Sequence, residues 1–152
     1  MKKIFSAVFA IVISAASLSA QTPYPGTYKV HPSDSFQIGI AGYSFCKFDI
    51  DKTLASLQSM GVRYFSVKDY WLPLDATAEQ MDAFKAKCAS YGVEGYILGP
   101  IYMRSKADVD RTFDYVARYG SDMFIGVPDY DLLDYVIKKV KKTGIRVAIH
   151  TH

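Results

Sequence analysis

The sequence predicts an α/β chain of parallel (βα) repeats, with five strands and four helices. Three observations predict it. Short apolar runs rich in Val, Ile, Phe and Tyr alternate with longer runs of helical period. The helical runs begin at Asp, Thr or Ser caps and end at glycines. Strand starts recur at the spacing of βα units, which implies a parallel sheet covered by helices. Periodicity alone leaves two architectures open: the first five strands of a (βα)8 barrel, or a five-stranded doubly wound sheet.

The first twenty residues read as a signal peptide. Lys2 and Lys3 precede an apolar stretch from Ile4 to Leu18, and Ser19-Ala20 offers a small-residue cleavage site before Gln21. Secretion, to a periplasm, is the expectation. A leader rich in Pro, Tyr and Gly follows over residues 21–35, and the partial barrel domain takes residues 36–152. Phe36 to Phe45 is the first candidate strand. Asp49 caps a helix with Ile50, Leu54 and Leu57 on one face, ended by Gly61. Val62 to Val67 is the second strand. Thr77 and Gln80 have the spacing of a capping box, and the helix they open carries Met81, Phe84, Cys88 and Tyr91 before Gly92.

Val93 to Leu98 is the third strand. Ser105 with Asp108 resembles another capping box, followed by Val109, Phe113 and Val116 and then Gly120. Met123 to Val127 is the fourth strand. Its helix places Leu133, Val136, Ile137 and Val140 inward and stops at Gly144, and Ile145 to Ile149 is the fifth strand. Gly39 and Gly42 lie within the first strand pattern, away from a strand-to-helix turn, so no dinucleotide-binding glycine loop is expected.

With Lys2 and Lys3 removed, basic and acidic residues nearly balance. That argues against nucleic acid as a partner, and no basic amphipathic helix suggests a membrane surface after signal cleavage. Cys46 and Cys88 are expected to remain unpaired. Cys46 follows the first strand, whereas Cys88 sits about eleven residues into a helix running to the other rim, roughly 16 Å down. A disulfide needs Cα atoms within about 7 Å.

Residues at the strand ends carry the chemical candidates, because barrel sites are built at the carboxyl rim. His150 and His152 are two apart on a strand and share a face, which suits Zn, Mn, Fe or Co if neighbouring strands add ligands. Lys68 and Asp69 end the second strand; an inward Lys stabilises an enediolate oxygen by charge, and an Asp orients a hydroxyl. Neighbours point oppositely, so Lys68 is the one expected to face inward. Tyr43, Trp71 and Tyr102 follow strand ends, where aromatic faces stack on sugar rings. Glu94, at the opposite rim, reads as structural and His31, in the leader, as solvated.

Taken together, Val67-Lys68-Asp69-Tyr70-Trp71-Leu72-Pro73-Leu74, Leu98-Gly99-Pro100-Ile101-Tyr102-Met103, Gly126-Val127-Pro128 and Ala148-Ile149-His150-Thr151-His152 resemble the sugar phosphate isomerase/epimerase family, the xylose-isomerase-like barrels, and its exported members in particular. The resemblance implies a TIM barrel with a divalent metal at the carboxyl ends of the strands. It implies a small-molecule sugar as substrate and proton abstraction next to a carbonyl as the reaction. The family often carries Asn where Thr151 stands and His where Trp71 stands. It takes further metal ligands from later strands, so weak metal binding and no isomerase turnover are expected of this chain alone. A lyase or hydratase acting on an oxidised sugar would begin with the same C–H abstraction. A non-catalytic sugar-binding half-barrel that pairs through its open edges as a homodimer is the alternative from another class.

Overall fold

The computed structural model of the chain describes residues 38–151. The signal peptide, the leader with His31, the start of the expected first strand and His152 lie outside the described residues. Within them run β1 (Gly39–Ile40), α1 (Ile50–Ser59), β2 (Tyr64–Val67), α2 (Ala78–Ser90), β3 (Glu94–Met103), α3 (Lys106–Tyr119), β4 (Met123–Pro128), α4 (Leu133–Thr143) and β5 (Arg146–Ile149). Short 3-10 turns cover Gly42–Phe45 and Tyr130–Leu132. No helix among the described residues is long and apolar enough to cross a membrane.

The five strands form one parallel sheet in the order β1-β2-β3-β4-β5. A doubly wound sheet reverses its strand order at a switch point. Here chain order and sheet order coincide throughout, so the fold is the partial barrel.

The helices start where the sequence places caps. Asp49 accepts from the Lys52 N–H at 2.7 Å, and Thr77 with Gln80 closes both bonds of the capping box. Ser105 accepts from the Asp108 N–H, but the Asp108 carboxylate reaches back to the Arg104 N–H, so the reciprocal box is only half formed. Gly120 and Gly144 close α3 and α4 in the left-handed conformation, at φ 82° and 75°.

The core lies between the sheet and its helical layer. Leu54 and Leu57 of α1, Met81 and Cys88 of α2, and Val109, Phe113 and Val116 of α3 pack on Phe65, Val67, Leu98, Met103 and Phe124. Phe113 meets Phe124 edge-on with ring centroids 5.3 Å apart.

Three expectations are corrected. The apolar run from Phe36 to Phe45 does not continue as a strand; it turns after Ile40. The Gly42 N–H donates to Ser66 Oγ at 2.9 Å instead of joining the ladder. The fit is close, because a Cβ at Gly42 would stand 2.1 Å from the Ser66 carbonyl oxygen. The third strand runs on past Leu98 to Met103, with its register against β4 shifting between Leu98 and Ile101. On α4, Ile137 is half exposed and Leu132 is buried in its place, because a 3-10 turn precedes the helix and rotates its apolar face.

Candidate functional site

Two faces of the sheet have different fates. Phe65, Val67, Phe124 and Gly126 face the helices. Residues of the alternate set face the barrel interior. Tyr102 registers with Val127, and Ile125 with Ala148, so strand alternation puts His150 on the same face as Tyr102. The His150 N–H extends the ladder by donating to the Gly126 carbonyl at 3.0 Å.

Lys68 follows the outward Val67 and turns inward. It is 7 % exposed, while the Asp69 side chain is half exposed. Burying an ammonium is costly unless it is paired. The Lys68 Nζ donates to the Pro100 carbonyl at 2.7 Å, and an Asp69 carboxylate oxygen lies 3.7 Å away. The ammonium carries three N–H donors, so the Pro100 carbonyl uses only part of its donor capacity.

Tyr70 joins this group, and sequence reasoning left it out of the site. Its hydroxyl donates to the Gly42 carbonyl at 3.2 Å, and its ring lies 6.0 Å from the Lys68 ammonium. Burial pushes the phenol up to about 12, with Cys46, Asp69 and Tyr43 adding electrostatic repulsion of the phenolate. The hydroxyl is therefore a proton donor throughout the ordinary pH range. Ser66 was also missed: it holds the Gly42 N–H while Tyr70 holds the Gly42 carbonyl, and the turn carrying Tyr43 and Cys46 is fixed from both sides. A buried Ser one residue inside a strand gives no periodic signal to find it by.

The loop after β2 is held equally firmly. Tyr115 of α3, buried, donates to the Leu72 carbonyl at 2.8 Å. Arg118 donates to the Leu74 carbonyl at 2.8 Å and to that of Ala76. Trp71, expected at the sugar, spends its indole N–H on the Phe48 carbonyl at 3.2 Å and packs against Phe65 and Tyr70. The structure thus brings Tyr43, Lys68, Asp69 and Tyr70 together. Tyr102, near the end of β3, and His150, after β5, stand on the same inner face one and three strands beyond β2, and Trp71 sits in the packing behind the group.

Cys46, exposed, and Cys88, buried, are separate free thiols. Among the described residues no three His, Cys, Asp or Glu side chains come together as a metal centre. Catalytic zinc sites use three protein ligands, and among the described residues His150 would be one. The described residues do not by themselves make up a metal centre.

A cleft of about 760 Å³ opens at the opposite, amino-terminal rim. Its charges are engaged in structure: Arg63 lies 3.9 Å from Glu94, and Asp122 accepts from Arg146 at 2.7 Å. Tyr119 donates to the Gly95 carbonyl there. Conserving such a rim serves stability in barrels, so the carboxyl rim is the candidate site.

No protein-family model matches the chain, and no curated protein sequence does. Solved structures do. An uncharacterised protein of Parabacteroides distasonis is similar at a TM-score of 0.68 and 20% identity, over 77% of this chain and 53% of its own. A xylose isomerase domain protein from Alicyclobacillus acidocaldarius matches with a TM-score of 0.52 and 18% identity, over 74% of this chain and 49% of that one. Another from Planctomyces limnophilus gives 0.50 and 17%, over 76% and 54%. At these identities the likeness is one of fold. The chain spans about half the length of the structures it matches.

Proposed function

We propose that this chain forms the sugar-binding carboxyl rim of an isomerase or epimerase that abstracts a proton next to a carbonyl. The observation that carries the reading is Lys68, a buried ammonium at the carboxyl end of β2, held by the Pro100 carbonyl and by Asp69. When the C–H bond breaks, its electron pair moves onto the carbonyl oxygen and the proton goes to a base. A preorganised cation beside that oxygen stabilises the resulting enediolate, and groups of this kind typically contribute about 10²–10³ in rate. Asp69 orients a sugar hydroxyl, and Tyr43 and Tyr102 supply ring faces and hydroxyls. The fold likeness to xylose isomerase domain proteins supports the substrate class.

Export after cleavage at Ala20 and weak binding of Zn, Mn, Fe or Co through His150 and His152 belong to the same proposal. Sequencing the amino terminus of the protein recovered from the cell envelope tests the first. Calorimetric titration of Zn or Mn, repeated on His152→Ala, tests the second, and an unchanged affinity removes His152.

Two measurements separate the enzyme from a binding module. Titrating aldoses and ketoses into the chain, followed by tyrosine resonances, should show binding that Lys68→Met and Tyr102→Ala weaken. Incubation in heavy water then reads deuterium at the carbon next to the carbonyl. Exchange supports the enzyme, and exchange with loss of a substituent supports a lyase. Binding without exchange supports a non-catalytic sugar-binding module. No binding of any sugar overturns the reading.

A further inference from the structure

We infer that the carboxyl rim takes a neutral oligosaccharide, longer than one sugar ring, along an arc of tyrosines; this rests on the sugar reading above and specifies its substrate class. Five tyrosines stand among the exposed large side chains of the described residues. Four of them follow or end the first four strands, one each: Tyr43 after β1, Tyr70 after β2, Tyr102 near the end of β3 and Tyr130 after β4. The fifth, Tyr96, pairs edge-on with Tyr64 near the start of β3. Exposed phenol rings are therefore concentrated at one rim, where their faces can stack on a carbohydrate.

The arc is wider than a monosaccharide. Parallel strands lie about 4.8 Å apart, so the strands bearing these four tyrosines are spread over roughly 14 Å. Part of the arc is rigid before any ligand arrives. Tyr70 is held by its hydroxyl on Gly42 and by an edge-on contact with Trp71 at 4.8 Å. Fixed aromatic surface lowers the entropy cost of binding. At the far end Tyr130 is 91 % exposed and lies between Asp129 and Asp131 in sequence. An anionic sugar reaching that end meets like charge, while a neutral one finds carboxylate acceptors for its hydroxyls. The buried Lys68 already has Asp69 beside it, so the near end also carries little net charge.

The test is calorimetric titration of the 152-residue chain with xylose, glucose, glucose 6-phosphate, xylotriose and cellotriose. A trisaccharide should bind at least about tenfold more tightly than its monosaccharide, a difference of the size that one or two aromatic stacking contacts supply. Tyr130→Ala should remove most of that gain and leave the monosaccharide unaffected; so exposed a side chain can be truncated without disturbing the core. Equal affinities for one ring and three, or a trisaccharide gain untouched by Tyr130→Ala, overturn the arc and leave the sugar reading standing. Tightest binding to glucose 6-phosphate also overturns it. Failure of all five ligands removes both.

Discussion

The Lys68 ammonium donates to the carbonyl of Pro100 across 2.7 Å, joining the end of β2 to β3 where the β3 register shifts. The lysine proposed to meet a developing oxyanion thus also satisfies a strand carbonyl.

Lys68→Met should therefore cost stability as well as chemistry. It leaves the partly buried Pro100 carbonyl without this donor, and the loss of a hydrogen bond from a charged group costs about 1–3 kcal/mol, with partial exposure favouring the lower end. Urea unfolding followed by circular dichroism reads the loss as a lower midpoint. A midpoint identical to the parent would mean that water or another donor replaces the ammonium at no cost.

Tyr70→Phe removes the hydroxyl that holds the Gly42 carbonyl, and a typical hydrogen bond contributes about 0.5–1.5 kcal/mol. The folded phenol is raised to about 12, above its ordinary value of 10.0, so folding favours the protonated form. That contribution is complete below the unfolded value and disappears as pH climbs through the folded one. The difference in midpoint between parent and Tyr70→Phe should be constant below about pH 10 and shrink towards pH 12. Ultraviolet titration should show one late phenol fewer in the variant. Burial also raises Tyr115 and Tyr119, so the comparison must be made by difference.

Thr112 is fully buried in α3, and its hydroxyl has no hydrogen-bond partner among the described residues. Thr112→Val keeps the shape and removes the desolvated hydroxyl. It should leave stability unchanged or raise it by about 1 kcal/mol. A clear fall in the thermal midpoint would reveal a partner for the hydroxyl in solution.

Expressed by itself, the chain should self-associate. Its inner face exposes Tyr96 and Tyr102, and the outer side of edge strand β5 exposes Ile149. Open apolar faces and unpaired strand edges favour pairing with another copy. Sedimentation velocity at micromolar concentration should show dimers or larger species, and a single monomer boundary over that range would contradict it.

Much of this architecture was legible in the residues because local signals and tertiary demands agree. Asp49, Thr77 and Ser105 cap their helices, and Gly120 and Gly144 end theirs, as chain-local chemistry dictates. Lys68 is buried and the Asp69 side chain half exposed, the difference that alternation along β2 leads one to expect. What escaped depends on contacts distant in sequence. The early turn of the first strand is set by Ser66 and Tyr70, 24 and 28 residues beyond Gly42. The rotated face of α4 comes from a 3-10 turn that no hydrophobic period announces. The Trp71 indole N–H donates to the Phe48 carbonyl, a contact 23 residues away in sequence that no local pattern announces.

The agreement between chain order and sheet order bears on assembly. Each strand finds its partner in the unit made just before it, so no strand waits for a distant segment and the loops to be closed stay short. Partners across each pair of strands lie one βα unit apart in sequence, as Gly39 and Tyr64 or Met123 and Arg146 do. Such a chain can be built by accretion, each new unit docking on a template already in place. Its growing edge, β5 among the described residues, is the surface on which another unit would dock.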